Sequence, residues 1–194
     1  MTYIISGCFE WIGFHLTEAF LNAGHTVIGI DKEWNEQKDW LSLYVGRNAS
    51  FHLVDSIHEV KKKTDEEVIL IHIEERVTGE DPNLSIKDEW TIKTRDDDTE
   101  KSSVIYASEV YGPWMTELIK PTSEEALYID DFVSAIQDII EQKVEGNWIE
   151  VKPSSGGSKG HHQDTWYVKE SMDVQEGWKK VMDHEEKFSI YYKL

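Results

Sequence analysis

The 194-residue sequence contains a single cysteine, Cys8, which excludes a disulfide bond within the chain. Proteins that lack disulfides are typical of reducing compartments. The chain also has no apolar run that approaches the roughly 20 residues needed to span a bilayer. Its N-terminus lacks the charged segment and apolar core of a signal peptide. These absences predict a cytoplasmic protein with no membrane anchor.

Basic residues are also scarce, with 20 Lys and Arg against 38 Asp and Glu, which gives a formal net charge of −18. Nucleic acids and anionic membranes are bound through basic surfaces, so the charge argues against both as partners. A hydrophobic content of 39% and a charged content of 30% are typical of a soluble globular domain. We interpret the acidity as a well-solvated surface.

The first 31 residues carry the most informative pattern. An apolar run at residues 3–5 leads into a glycine-containing turn at 7–13 and an amphipathic segment that ends at Gly24. A second apolar run at 27–30 ends on Asp31. Strand, glycine turn, helix, strand and acid form the opening of a dinucleotide-binding unit. The turn and the helix N-terminus would face a pyrophosphate, and the acid would accept hydrogen bonds from a ribose.

The rest of the chain continues the alternation of strands and helices. The continuous apolar run at 68–73 predicts a parallel strand that is buried on both faces. Residues 74–103 are highly charged, with a strand signal only at 90–92, and the Ser- and Gly-rich stretch 153–160 predicts a mobile loop. The other predicted strands are 50–55, 103–107 and 148–151, and the predicted helices are 39–45, 57–63, 128–142 and 172–190.

Several separated stretches together resemble the extended short-chain dehydrogenase/reductase family, and in particular the nucleotide-sugar epimerases that act on UDP-uronic acids. Residues 6–13, Ser-Gly-Cys-Phe-Glu-Trp-Ile-Gly, lie where that family has Thr-Gly-Gly-Ala-Gly-Phe-Ile-Gly. Residues 27–31 and 51–55 resemble its second and third strands. The resemblance continues with Val-Tyr-Gly-Pro-Trp at 110–114, Tyr-Ile-Asp-Asp-Phe-Val-Ser-Ala-Ile at 128–136, and the final helix from Gln-Glu-Gly-Trp at 175–178.

The middle of the chain departs from this family. The family has a long helix, a strand that ends in a catalytic Ser or Thr, and a helix with Tyr-x-x-x-Lys. None of the eight tyrosines here is followed by lysine four residues later. The lysine cation lowers the pKa of the tyrosine, which must act as a base during hydride transfer. The sequence therefore predicts no catalytic residue for this reaction.

The resemblance implies NAD as the cofactor and a set of cofactor-site residues, although the altered turn predicts that NAD binds weakly or not at all. Glu10 replaces the middle glycine of the turn, and its carboxylate would either occupy the helix N-terminus in place of a phosphate or point to solvent. Asp31 favours NAD over NADP, although Lys32 beside it blurs this preference, and Asp55 would meet adenine or cap a turn. The implied cofactor residues are Gly7, Glu10, Trp11, Ile12, Gly13, Asp31, Lys32 and Asp55.

Other residues have weaker functional interpretations. Trp114, with Tyr111 and Pro113, is the best candidate for the wall of a substrate cleft. We expect Cys8 to be a small packing residue rather than a reactive thiol. Glu74 and Glu75 begin a solvated loop, although paired carboxylates can also serve acid–base catalysis. The acidic residues 96–98 with Glu100, and His161 with His162, lack the spacing of metal sites, so no metal is expected.

The sequence thus predicts an α/β fold with a Rossmann-like parallel sheet, reduced by an internal deletion, and a small C-terminal lobe. Residues 1–194 form one epimerase/dehydratase-like domain: a dinucleotide-binding half at 1–73, a replacement segment at 74–103, and the remnant of the second half at 104–194. In this family the deleted helices cover one face of the sheet, so here either residues 74–103 cover that face differently or another chain does. An uncovered parallel sheet would expose a large apolar patch, which predicts a homo-oligomer or a full-length relative as partner.

Three functions remain open at this point. The first is a degenerate family member without epimerase activity, with a weak NAD or nucleotide site and a binding or regulatory role. The second is an active NAD-dependent enzyme with a relocated base, for which Tyr106 or Tyr111 would be the first candidates. The third is a structural or interaction protein that binds no dinucleotide.

Overall fold

A computed structural model describes residues 1–32, 34–60, 64–75, 84–94, 103–123, 125–154, 160–162 and 164–192. The chain divides into two compact units, residues 1–92 and 93–194, and each is described separately. This boundary falls inside the predicted replacement segment 74–103. Most of that segment, including the acidic residues 96–98 and Glu100, lies outside the described residues, as do 155–159 of the predicted mobile loop.

The first unit is built on five parallel strands in the spatial order β5-β4-β1-β2-β3. This is the order of the first five strands of a Rossmann fold, in which ligands bind beyond the carboxyl ends of the strands. Every residue of β4 is buried, as the continuous apolar run predicts. The strands are β1 (Thr2–Ser6), β2 (Thr26–Ile30), β3 (Phe51–Val54), β4 (Val68–Ile73) and β5 (Ile86–Lys93).

Apolar side chains pack on both faces of this sheet. Helix α1 (Trp11–Asn22) packs on one face, where the ring of Phe20 stacks on that of Tyr3 with centroids 3.9 Å apart. Successive side chains of a strand point to opposite faces, and Ile4 accordingly belongs to a separate buried cluster with the residues of the short helix α3 (Ile57–Val60). Helix α2 (Glu36–Val45) lies between β2 and β3 in sequence.

The second unit contains a smaller set of strands. Strand β9 (Trp148–Pro153) pairs in parallel with β6 (Ser103–Tyr106) and with β11 (Thr165–Val168). Strand β10 (Gly160–His162) runs antiparallel to β11. A separate two-residue ladder joins β7 (Val110–Tyr111) and β8 (Leu127–Tyr128).

Two helices pack within this unit. Helix α4 (Ile129–Glu141) buries the predicted face of Phe132, Ile136, Ile139 and Ile140. Helix α5 (Val174–Lys187) begins at Asp173, whose side chain accepts a hydrogen bond from the Glu176 N–H at 2.8 Å. It ends earlier than predicted, and a short 3₁₀ helix follows at Ser189–Tyr191. Val181 of α5 is buried, and Met182 is 40% exposed.

The α/β, Rossmann-like parallel fold predicted from the sequence is confirmed. The prediction of a loop at residues 160–162 is wrong, because these residues form β10 against the β-branched and aromatic strand β11. None of the helices that can be described has the length and apolarity that a membrane crossing requires.

Candidate functional site: an acidic cavity at the carboxyl ends of three strands

A cavity of about 480 Å³ opens in the first unit, where β1, β2 and β4 end. This volume is within the range of small-molecule sites. The position is the one that the strand order favours for a ligand. Its lining residues are Ser6, Gly7, Glu10, Ile30, Asp31, Lys32, Lys38, Ile73, Glu74 and Glu75.

The turn below the cavity keeps two of the three glycine functions of a dinucleotide fingerprint. Gly7 has φ +78°, a conformation that side chains disfavour, and its N–H donates to the Ile30 carbonyl at 2.8 Å. Gly13 lies so close to the Gly7 carbonyl oxygen that a Cβ atom would collide with it. The turn is therefore tight, and α1 packs closely against it, as the sequence predicts.

The middle position of the turn differs, because Glu10 occupies it with an ordinary extended backbone (φ −61°, ψ 150°). Glu10 is the N-cap of α1, yet its side chain makes no cap hydrogen bond to the helix. Its Oε1 atom instead lies 2.7 Å from the Nζ atom of Lys38, and the side chain is 47% exposed. The hypothesis that this carboxylate caps the helix N-terminus is therefore wrong, and the carboxylate forms an ion pair instead.

Asp31 lies at the end of β2, as predicted, but both of its carboxylate oxygens already have partners. Oδ2 accepts a hydrogen bond from the Phe9 N–H at 2.9 Å, and Oδ1 accepts one from Lys38 Nζ at 2.7 Å. The Asp31 side chain is only 2% exposed. A ribose could reach this carboxylate only after Lys38 had moved.

Lys38 is the functional residue that sequence reasoning missed. It lies in the first turn of α2, where its N–H donates to the Asn35 side chain at 2.8 Å, and its ammonium group joins Asp31 to Glu10. Burial alone would lower the pKa of Lys38, but the hydrogen bonds and charges of Asp31 and Glu10 outweigh burial and raise it. Lys38 is therefore a buried, charged lysine. The available signal was a lysine that lies seven residues after the acid that ends β2 and directly before the predicted helix 39–45.

Glu74 and Glu75 contribute two further carboxylates to the cavity. Glu74 follows β4 with φ +60°, an uncommon conformation for a residue with a side chain, and its N–H donates to the Ile92 carbonyl at 2.9 Å. Glu75 is exposed and Glu74 is partly exposed, as expected of residues that begin a solvated loop. The structure adds that both residues line the cavity.

The remaining predicted cofactor residues are placed as follows. Lys32 is exposed and lines the cavity. Trp11 and Ile12 begin α1, with Trp11 partly exposed and Ile12 buried, and Asp55 is exposed after β3; none of these three lines the cavity. Their role in cofactor binding stays a prediction.

Cys8 packs inside the turn rather than facing the cavity. It is fully buried, and a Cβ atom on Gly29 would lie 2.6 Å from its Sγ atom. Burial first, and then the charge of Asp31, raise the pKa of the Cys8 thiol. The thiolate is therefore disfavoured, which supports the interpretation of Cys8 as a packing residue.

In the second unit, the three stretches that carry the family resemblance pack together. The β7–β8 ladder pairs Tyr111 with Tyr128, and Gly112 lies against Ile129. Gly177 of α5 lies against the Tyr111 hydroxyl, where a side chain would collide. These glycines allow the close approach of the three stretches.

The proposed cleft residues of this unit are largely enclosed. Trp114 is 4% exposed, and its ring is stacked on that of Tyr192 with centroids 5.8 Å apart. The backbone N–H of Trp114 donates to the Tyr192 hydroxyl at 2.7 Å. Tyr111 is buried, while Pro113 is partly exposed. A substrate cleft at these residues stays a prediction.

The surroundings disfavour Tyr111, one of the two candidates for a relocated base. Burial, followed by the negative charge of Asp131, raises the pKa of Tyr111 to about 12. Tyr106 in β6 is partly exposed, and its ring lies 5.3 Å from that of Trp148. Among the residues that can be described, no group of three His, Cys, Asp or Glu side chains could hold a metal ion.

Several solved structures have a fold similar to that of this chain. A dTDP-glucose 4,6-dehydratase from Bacillus anthracis, in complex with NAD, matches with a TM-score of 0.66 and 12% identity over 100% of this chain and 99% of that chain. A UDP-galactose 4-epimerase matches with a TM-score of 0.62 and 12% identity, over 97% of this chain and 99% of that chain. The yeast methylglyoxal/isovaleraldehyde reductase complexed with NADPH matches with a TM-score of 0.64 and 12% identity, over 98% of this chain and 100% of that chain.

These similar structures are a dehydratase, an epimerase and a reductase of the extended short-chain dehydrogenase/reductase type. The resemblance predicted from the sequence is thereby confirmed at the level of the fold. No protein-family model matches the chain. No curated protein matches it at the sequence level either.

Proposed function

We propose that this protein is a degenerate relative of the NAD-dependent epimerases and dehydratases, with a weak nucleotide site and a binding or regulatory role in place of catalysis. The observation that carries the proposal is the ion-pair bridge in which Lys38 joins Glu10 to Asp31 inside an otherwise retained cavity. This bridge occupies the carboxylate that a cofactor ribose would use. NAD binding then requires the loss of short ionic contacts, which predicts weak affinity.

The absence of Tyr-x-x-x-Lys supports the non-catalytic part of the proposal. Hydride transfer from a sugar needs a base that can take up a hydroxyl proton near neutral pH. With a pKa of about 12, Tyr111 would be ionised to a negligible extent at that pH, which disfavours the alternative of a relocated base. One observation supports the third alternative, a protein that binds no dinucleotide. The Asp31 side chain is only 2% exposed.

A turnover assay distinguishes the first two functions. Purified protein is incubated with NAD and, in turn, UDP-glucose, UDP-galactose and UDP-glucuronate, and the sugar products and the NADH absorbance are followed. We expect no product above a heat-inactivated control. Sustained turnover of any of these sugars would contradict the non-catalytic role.

The protein acts in the cytoplasm under this proposal. Its partner is a second copy of the chain or a full-length relative of the same fold. The argument is that parallel sheets are covered on both faces in stable proteins, while the helices that cover one face in the family have no counterpart in this sequence. Light scattering of the purified protein should give a mass above 22.6 kDa, the mass of one chain. A stable monomer that also fails to bind a full-length relative would contradict this part of the proposal.

A further inference from the structure

The side chains around the cavity carry more negative than positive charge. Four carboxylates line it, those of Glu10, Asp31, Glu74 and Glu75, against the two ammonium groups of Lys32 and Lys38. The formal charge of the lining is therefore −2. A cavity that binds a pyrophosphate normally offers the opposite sign.

The positive charge of Lys38 is already used within the protein. Its ammonium group lies 2.7 Å from Glu10 and 2.7 Å from Asp31, and its side chain is only 7% exposed. A phosphate that approached this ammonium group would have to displace the carboxylate of Glu10 or Asp31, and both belong to the same chain. Lys38 therefore neutralises the protein's own acids rather than attracting an anion.

The remaining negative charge lies where phosphate groups would be placed. Glu10 directly precedes α1, and its Cγ atom is 3.3 Å from the position of a Cβ atom on Gly7. The Glu10 side chain thus packs against the turn that would cradle a pyrophosphate. Because this side chain is 47% exposed, its negative charge would repel a phosphate group that approached the turn.

We infer that the cavity takes a nucleoside that carries no phosphate, in preference to a nucleotide or a dinucleotide. This inference rests on the proposed function, since it names the ligand class of that same site. The carboxylates of Glu74, which is partly exposed, and Glu75, which is exposed, line the same cavity. Carboxylate oxygens accept hydrogen bonds from ribose hydroxyls and from exocyclic amino groups, which a nucleoside supplies without negative charge. A volume of about 480 Å³ is within the range of sites for ligands of this size.

A series of ligands that differ only in phosphate tests the inference. Adenosine, AMP, ADP and NAD are titrated into the full-length protein by calorimetry at one ionic strength. We expect adenosine to bind about tenfold more tightly than ADP, with AMP between them. The difference should narrow at high salt, because screening weakens repulsion between charges in an open site.

A charge-neutral variant identifies the residue responsible. Glu10→Gln keeps the size of the side chain, removes one negative charge and leaves Lys38 with Asp31 as its ionic partner. We expect ADP to gain about tenfold in affinity and adenosine to change by less than about twofold. Glu66→Gln is the matched control, because Glu66 is exposed and does not line the cavity.

The results separate this inference from the function on which it rests. If ADP or NAD binds more tightly than adenosine, or if Glu10→Gln behaves like Glu66→Gln, the inference is wrong while a nucleotide-binding role stands. If none of the four ligands binds up to millimolar concentration, both are overturned. Turnover of a nucleotide sugar contradicts only the non-catalytic role.

Discussion

At the scale of single residues, the ionic bridge of Lys38 is the feature with the largest expected effect on stability. Lys38→Met removes the cation and leaves the Asp31 carboxylate, which is 2% exposed, without its ionic partner. Breaking one side of a buried ion pair is strongly destabilising. We expect the free energy of unfolding to fall by about 2–3 kcal/mol, measured by urea denaturation.

The matched control for this variant is Lys32→Met, which removes an exposed lysine from the same cavity. Exposed substitutions usually change stability by less than about 0.5 kcal/mol. If both variants lost the same stability, the effect would come from the net charge of the protein. The Lys38 bridge would then not be a stabilising contact.

The pH dependence of the Lys38 contribution follows from its raised pKa. The ordinary lysine value is 10.5, and the folded protein holds the proton more tightly than the unfolded chain. Stability from this group is therefore fully present below the unfolded pKa and is lost as pH rises through the folded pKa. The difference between wild type and Lys38→Met should be constant from about pH 7 to about pH 9 and should decrease only above pH 10.5.

Urea denaturation of both proteins at several pH values checks this expectation, and the comparison cancels the alkaline effects that the two share. A difference that already decreases between about pH 7 and about pH 9 would mean that Lys38 is not held in its charged form by the bridge. Lys38 would then behave as a buried lysine without ionic partners, whose pKa is lowered by burial.

At the scale of elements, the start of helix α2 determines where the Lys38 side chain lies. The Asn35 side chain accepts a hydrogen bond from the Lys38 N–H at 2.8 Å, and this N-cap fixes the first turn of the helix. Asn35→Ala should lower the free energy of unfolding by about 1 kcal/mol. Because the cap and the bridge share Lys38, the Asn35→Ala and Lys38→Met double variant should lose less than the sum of the two single losses.

Leu43→Ala serves as the control on the same helix, because Leu43 is 71% exposed. Its effect should be within about 0.5 kcal/mol and should add to that of Lys38→Met. Additive losses for Asn35→Ala and Lys38→Met would show that the cap does not position the lysine.

The same elements show what the sequence could and could not predict. The runs at 3–5, 27–30 and 68–73 specify strands because a parallel strand buried on both faces must be apolar throughout. Strands β10 and β11 were missed because their segments are short and one begins beside a Ser- and Gly-rich stretch. The two ionic contacts of the Lys38 bridge could not be predicted from local patterns, since Glu10 lies 28 residues away and Asp31 lies 7 residues away.

At the scale of the whole molecule, the fold is that of enzymes solved in complex with NAD or NADPH. The Tyr-x-x-x-Lys pair is absent from the sequence, and a carboxylate replaces the glycine beside the pyrophosphate position. This combination is expected of a protein that retains the scaffold for binding rather than for hydride transfer.

The central claim, a retained but weakened nucleotide site, is tested most directly by calorimetric titration of NAD into the wild-type protein and into Glu10→Gly. We predict a dissociation constant for the wild type of about 0.1–1 mM and an affinity about tenfold higher for Glu10→Gly, because the variant restores close approach and removes a like charge. Wild-type binding at about 1 μM or tighter, with no gain for Glu10→Gly, would contradict the account.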